Sequence, residues 1–278
     1  MSTIFFAQDD LSALNDEFTD ASTLANWQTF HESERWVNHV LKADINTSSP
    51  NQFHLEPQTG FWFGEVHAGP FFYKTVSGDF TVTTKLKVTG RKTDLPEKYF
   101  SLAGLMIRSP RSKAVDKEQK GHENWLFLCT GFANDKGKNK REPQFETKVT
   151  RKSKSKLQIF PAKNDWIELA ITRVGHQFIQ SYKYQDGDWQ ILRVINHSEM
   201  NQTLQVGLLA YTDFNNRMKR RYIFSRKKLN TTVYTDGNPD LIARFDYVHF
   251  TRPNTKAKEL LSNNSSFSNE LLTTLNLD

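Results

Sequence analysis

An all-β fold, with two antiparallel sheets packed as a sandwich or jelly roll, is what this sequence predicts, on three observations. Apolar and polar residues alternate with period two through roughly a dozen short segments, spaced about 8–12 residues apart. Turn-forming residues punctuate the segments. Helical periodicity is scarce before residue 253. The 278 residues suffice for one large β domain or two ordinary ones. An aromatic content of 13%, with 21 Phe and 6 Trp, suits strands better than helices.

The elements follow in chain order. The turn "VSGD" leads into "DFTVTTKLKV", where Phe80, Val82, Thr84, Leu86 and Val88 share one face. Thr81, Thr83, Lys85 and Lys87 take the other, which predicts a strand with one wet face. "SLAGLMIR" and "NWLFLCTGF" are apolar on both faces and are expected to lie centrally, covered on each side. Arg108 ends the first of these, on the face of Gly104 and Met106, either snorkelling outward or reaching a ligand. "FETKVTRK", "WIELAITRVG" and "QFIQSYKYQDGDWQILR" follow, with turns at Gly175 and Asp186-Gly187. "LQVGLLAYTDF" and "ARFDYVHFTRP" close the series. The polar, Asn/Ser-rich end has short helical patterns around Glu259 to Leu261 and Glu270 to Leu275. It is read as a docked tail or a linker. The division is an extension over 1–13, a sandwich over 14–252 and a tail over 253–278.

Composition excludes several classes. The single cysteine, Cys129, permits no disulfide within the chain and sits in the apolar run "WLFLC", as a core thiol. No apolar run approaches the ~18 residues of a membrane helix, and no signal-peptide pattern is visible. The sequence as given therefore favours a cytoplasmic placement with no membrane partner. A net charge of +6 permits anionic partners without demanding them. "RMKRRYIFSRKK" puts seven cations between Arg217 and Lys228, which could track a polyanion. It is read as a solvated hairpin blunting an edge strand, and nucleic acid is not expected.

"GPFFYKTVSGDFTVTTKLKV", "SLAGLMIR", "ENWLFL", "DWIELAITRVGHQFIQSYKYQDGDWQ", "LQVGLLAYT" and "ARFDYVHF" occur in this order. Together they resemble the concanavalin A-like superfamily of lectins and glucanases. Within it, the chain looks like the domain-of-unknown-function group that includes regulation-of-enolase-type proteins. It is also similar to the C-terminal sandwich domain of some β-xylosidases. The resemblance covers about residues 14–252. It implies a two-sheet jelly roll whose concave face binds sugars in related proteins. It implies no activity, since the fold hosts hydrolases and lectins alike.

Hydrolysis would need two carboxyls at a defined separation. The Glu-x-Asp-x-Glu run that supplies them in sandwich glucanases is missing, as are a nucleophile elbow, a phosphate loop and zinc spacing. Glu123, Glu146 and Glu168 lie on or beside strands, and the sequence leaves open whether two of them meet. The expectation is a non-catalytic, lectin-like carbohydrate binder. The alternatives are a protein-interaction or regulatory module and a glycoside hydrolase with an unrecognised carboxylate pair. Candidate ligand residues are Trp62, Arg108, Glu123, Asn124, Tyr211 and Asp213: an aromatic for stacking, a guanidinium fork, and polar groups at strand ends. Trp62 has a competing reading as a staple to the core, and Arg108 as a snorkelling strand-end cap. The resemblance also implies a structural Ca2+ site, with Asp16 and Asp246 as its acids.

Overall fold

The computed structural model describes residues 11–111, 121–134, 137, 140–215, 226–262 and 269–277. Two seven-stranded antiparallel sheets stack face to face. The first runs in the order β1 (Gln28–Thr29), β6 (Phe71–Ser77), β15 (Thr203–Tyr211), β8 (Ser101–Arg108), β9 (Trp125–Phe132), β10 (Gln144–Arg151), β11 (Lys154–Pro161). The second runs β14 (Gln190–Asn196), β13 (Gln177–Tyr184), β12 (Ile167–Val174), β7 (Phe80–Thr89), β16 (Ile242–Thr251), β3 (Phe53–Pro57), β2 (Val40–Ile45). A separate two-stranded hairpin, β4 (Trp62–Phe63) and β5 (Val66–His67), belongs to neither. Crossovers such as β15 between β6 and β8 make this a jelly-roll sandwich rather than a meander.

Alternation fixes which side chains fill the space between the sheets. Phe80, Val82, Leu86 and Val88 of β7 face Ala103, Leu105 and Ile107 of β8 and Leu126 and Leu128 of β9 across the main core. The alternate residues of the first sheet point the other way. Leu102, Met106, Trp125, Phe127, Cys129, Leu209 and Tyr211 form a second apolar cluster on its outer face. Arg108 keeps the parity of Leu102 and Met106 and lies on this outer face.

One expectation changes here. The Thr81 and Thr83 face of β7 is buried rather than wet. The chain end forms α3 (Thr255–Ser262) and α4 (Asn269–Thr274), which lie on the outer face of the second sheet. Ala257, Leu261, Leu271, Leu275 and Leu277 pack there against Ala170, Val174 and Ile179. Short side chains at Thr81, Ala170 and Thr172 let the tail approach closely, and alternating Thr suits a covered face as well as a solvated one. The basic run "RKSKSK" contributes Lys154 and Lys156 to β11, an edge strand whose exposed lysines discourage further pairing. Of the basic segment 217–228, residues 217–225 lie outside the described residues, as do 1–10 of the N-terminal extension. The remainder, 226–228, belongs to a short helix, α2 (Arg226–Thr231). Among the described residues no helix is long and apolar enough to cross a membrane.

Candidate functional site

The outer face of the first sheet is roofed by the β4–β5 hairpin. Lys148 Nζ, rising from β10, donates to the Trp62 carbonyl at 2.8 Å. Gly64, at φ +60°, makes the turn, and its N–H donates to Ser155 Oγ at 2.7 Å. Asn230 of α2 clasps the far strand, accepting from His67 N–H at 2.8 Å and donating to the Glu65 carbonyl at 2.7 Å. The two strand directions then sort the aromatics. Trp62 points down, 5.0 Å from the Phe30 ring and 6.1 Å, T-shaped, from Trp125. Phe63 points up and is 45% exposed.

Under one end of this roof lies a closed charged network. Arg108 forks onto two carboxylates. Its Nη2 donates to Glu34 Oε2 at 3.0 Å and Glu123 Oε1 at 3.1 Å, its Nε to Glu123 Oε2 at 3.1 Å, and its Nη1 to Glu34 Oε1. Gln205 of β15 accepts from Nη1 at 2.8 Å. The guanidinium carbon sits 4.8 Å from the centroid of Phe30, which opens α1 (Phe30–Ser33). Arg111 Nε donates to Glu123 Oε1 at 2.5 Å, and His67 Nε2 lies 3.3 Å from Glu123 Oε2. Two cations thus balance two anions. Burial alone would raise the Glu123 carboxyl; Arg108, His67 and Arg111 outweigh it and hold it well below the usual range. Burial alone would make Arg108 easier to deprotonate, and Glu123 and Glu34 reverse that. Burial depresses the His67 pKa, although Glu123 pulls the other way.

The pH dependence follows from these directions. As pH falls below about 6.5, an unfolded histidine takes up a proton that folded His67 resists. Below about 4.3 the same holds for Glu123. In both windows the unfolded state binds more protons, so stability falls with acidification. The melting temperature is expected to drop from pH 7 to 5, and less steeply in His67→Gln. Equal slopes in the two proteins would refute the assignment to His67.

At the other end of the roof the face opens into a cavity of about 100 Å³. Phe61, Phe63, Phe100, Phe214 and Leu157 form its walls, with Lys148 and Tyr211 at its base. The Lys148 ammonium lies 5.1, 5.5 and 5.6 Å from the ring centroids of Phe127, Tyr211 and Phe63, and 2.8 Å from Glu146 Oε1. The buried Tyr211 hydroxyl faces Glu146, and burial and the Glu146 charge push its pKa well up. The same burial raises Cys129 well above a reactive range, so its thiol is inert. A larger groove of about 510 Å³ runs between the tail and the β6–β7 and β12–β13 turns. Its charged groups, Asp79 and Lys258, pair with each other at 2.8 Å.

Of the six expected ligand residues, Trp62, Arg108, Glu123 and Tyr211 do gather on this one face, but as buried side chains. Asn124 accepts from Lys152 N–H at 2.9 Å beside it. Asp213, at φ +62°, ties loops together by accepting from Thr59 Oγ1 at 2.9 Å and Asn238 N–H at 2.7 Å. Glu168 lies on the second sheet, bonded to Tyr247 Oη at 2.7 Å, away from Glu123 and Glu146. Asp16 accepts from Phe18 N–H at 3.0 Å, Thr23 Oγ1 at 3.1 Å and Trp27 Nε1 at 2.9 Å. Asp246 faces Lys85 at 3.2 Å. These partners do not fit a Ca2+ shell on Asp16 and Asp246. No cluster of three or more His, Cys, Asp or Glu that could hold a metal occurs among the described residues. Phe63, Lys148 and Leu157 escaped the sequence reading. Only the alternation in "GFWFG" and "FETKVTRK" marked Phe63 and Lys148, nothing marked Leu157, and alternation does not say what covers a face.

The fold and this roofed face define a jelly-roll β-sandwich. The chain belongs to the family described as Protein of unknown function (DUF1349), which matches residues 30–226. Among solved structures it is similar to a functionally unknown protein from Saccharomyces cerevisiae, at 15% identity and TM-score 0.54, covering 83% of this chain and 98% of that one. A GH43 protein from Bacillus licheniformis aligns at 14% identity and TM-score 0.54, over 90% of this chain. A xylan β-1,4-xylosidase from Bacillus halodurans aligns at 15% identity and TM-score 0.53, over 91%. This chain spans 41% of the length of each of the two bacterial proteins. No curated protein matches it.

Proposed function

We propose that this protein is a non-catalytic, lectin-like carbohydrate binder whose ligand rests on the outer face of the first sheet, at the cavity beside Phe63. The observation that carries this reading is Phe63 itself: a large aromatic, 45% exposed, on a pinned hairpin above a cavity with Tyr211 and Lys148 at its base. A fixed exposed ring presents a flat apolar surface to the C–H face of a sugar at little entropic cost. The resemblance to β-xylosidase sandwich domains is consistent with it. Binding without hydrolysis is favoured because Glu123 is locked ionised between guanidinium groups, whereas a general acid needs a raised pKa. A protein partner is the second reading, because Leu157, 39% exposed, adds apolar surface to the same rim.

A glycan array covering neutral and acidic sugars, followed by titration calorimetry, tests the proposal. Phe63→Ala is expected to weaken binding about tenfold or more, the loss of one stacking contact of ~1.5 kcal/mol, with the fold intact. An array with no bound sugar would overturn it.

A further inference from the structure

We propose that the cavity receives a phenyl-sized aromatic group carried on the glycan, so that the ligand is an aryl-substituted sugar rather than a bare one. This rests on the carbohydrate-binding reading above. The cavity's walls are four phenylalanine rings and Leu157. Of its two polar groups, Lys148 is already used by the Trp62 carbonyl and Glu146. The Tyr211 hydroxyl is fully buried and faces Glu146, so neither group is open to a ligand. A pyranose entering such a space would lose water from several hydroxyls and regain no hydrogen bond, an unfavourable exchange. A planar ring loses nothing polar. The volume of about 100 Å³ is of the order that takes up benzene in apolar cavities. Phe61–Phe214 and Phe100–Phe214 are both edge-on, at 5.1 Å, a geometry that extends readily to a further ring. The sugar then lies outside, on exposed Phe63. Phe63 thus serves the sugar and the cavity serves its substituent.

The test is calorimetric titration of the full chain with phenyl and methyl β-glycosides of xylose, glucose and galactose, and with phenol. For at least one sugar the phenyl glycoside is expected to bind tenfold or more tightly than both its methyl counterpart and phenol. Leu157→Trp, a change at the exposed rim that fills the cavity, is expected to abolish that preference without altering the circular dichroism spectrum. Methyl and phenyl glycosides binding alike would overturn this inference and leave carbohydrate binding standing. Phenol binding as tightly as the phenyl glycosides, or no binding by any probe, would overturn both. An unchanged preference in Leu157→Trp would place the aromatic group elsewhere and overturn the inference.

Discussion

Arg108→Met is expected to destabilise the protein by about 3–5 kcal/mol, the cost of removing one partner from a buried ion pair. Methionine nearly matches the arginine stem and leaves little cavity, so the loss is electrostatic. Glu34 and Glu123 would lose their shared counter-ion while both are nine-tenths or more buried, leaving Arg111 as the nearest cation. The Phe30 ring and the Gln205 carbonyl would also lose their partner. Arg108→Lys keeps the charge but not the fork, because one ammonium cannot span two carboxylates and an amide with the same geometry. It is expected to fall between the two. Urea denaturation measures both variants. A loss below about 1 kcal/mol in Arg108→Met would mean that water enters and solvates the network. Sugar binding is expected to persist in any variant that remains folded, because Arg108 does not line the cavity at Phe63.

That network shows where the sequence stopped being informative. Its alternation placed Arg108 with Gly104 and Met106, and the structure puts it on that face. Whether the face was open depended on a roof whose own pattern, "GFWFGEVHAG", is too short and glycine-broken to read as a hairpin. Glu34, from a loop 74 residues upstream, had no signal at all. The central strands were legible for the opposite reason. Burial on both sides leaves a continuous apolar run that few other elements produce, and "SLAGLMIR" and "NWLFLCTGF" became β8 and β9 at the centre of the first sheet. Trp62 and Phe63 mark the limit most sharply. Composition finds the aromatic pair, but one residue of register decides which ring is core and which is surface.

Deleting residues 253–278 is expected to cost on the order of 3 kcal/mol or more and to make the second sheet adhesive. Leu271, Leu275 and Leu277 are nearly fully buried in the tail interface. Each contributes about 1.5–3 kcal/mol by burial, and the entropy of an ordered tail offsets part of the sum. The attachment is polar as well as apolar. Thr81 Oγ1 donates to the Leu275 carbonyl at 2.5 Å, and Thr251 Oγ1 to the Asn276 carbonyl at 2.8 Å. Within the tail itself, Asn254 N–H donates to the Thr274 carbonyl at 2.8 Å and joins its two helices. Removing the tail would leave Ala170, Val174 and Ile179 as a contiguous apolar patch on a sheet face with no charged residue at those positions. The truncated chain is therefore expected to bind a hydrophobic dye such as ANS, to melt earlier and to associate at micromolar concentration. Leu275→Ala separates burial from bulk removal, with an expected loss of about 2–5 kcal/mol and no exposed patch. If the truncated chain kept its melting temperature and bound no dye, the tail would be an ornament on a sandwich already closed. The buried threonines beneath it argue the reverse, since Thr81 and Thr172 bond each other at 2.9 Å in a site that excludes water only while the tail is in place.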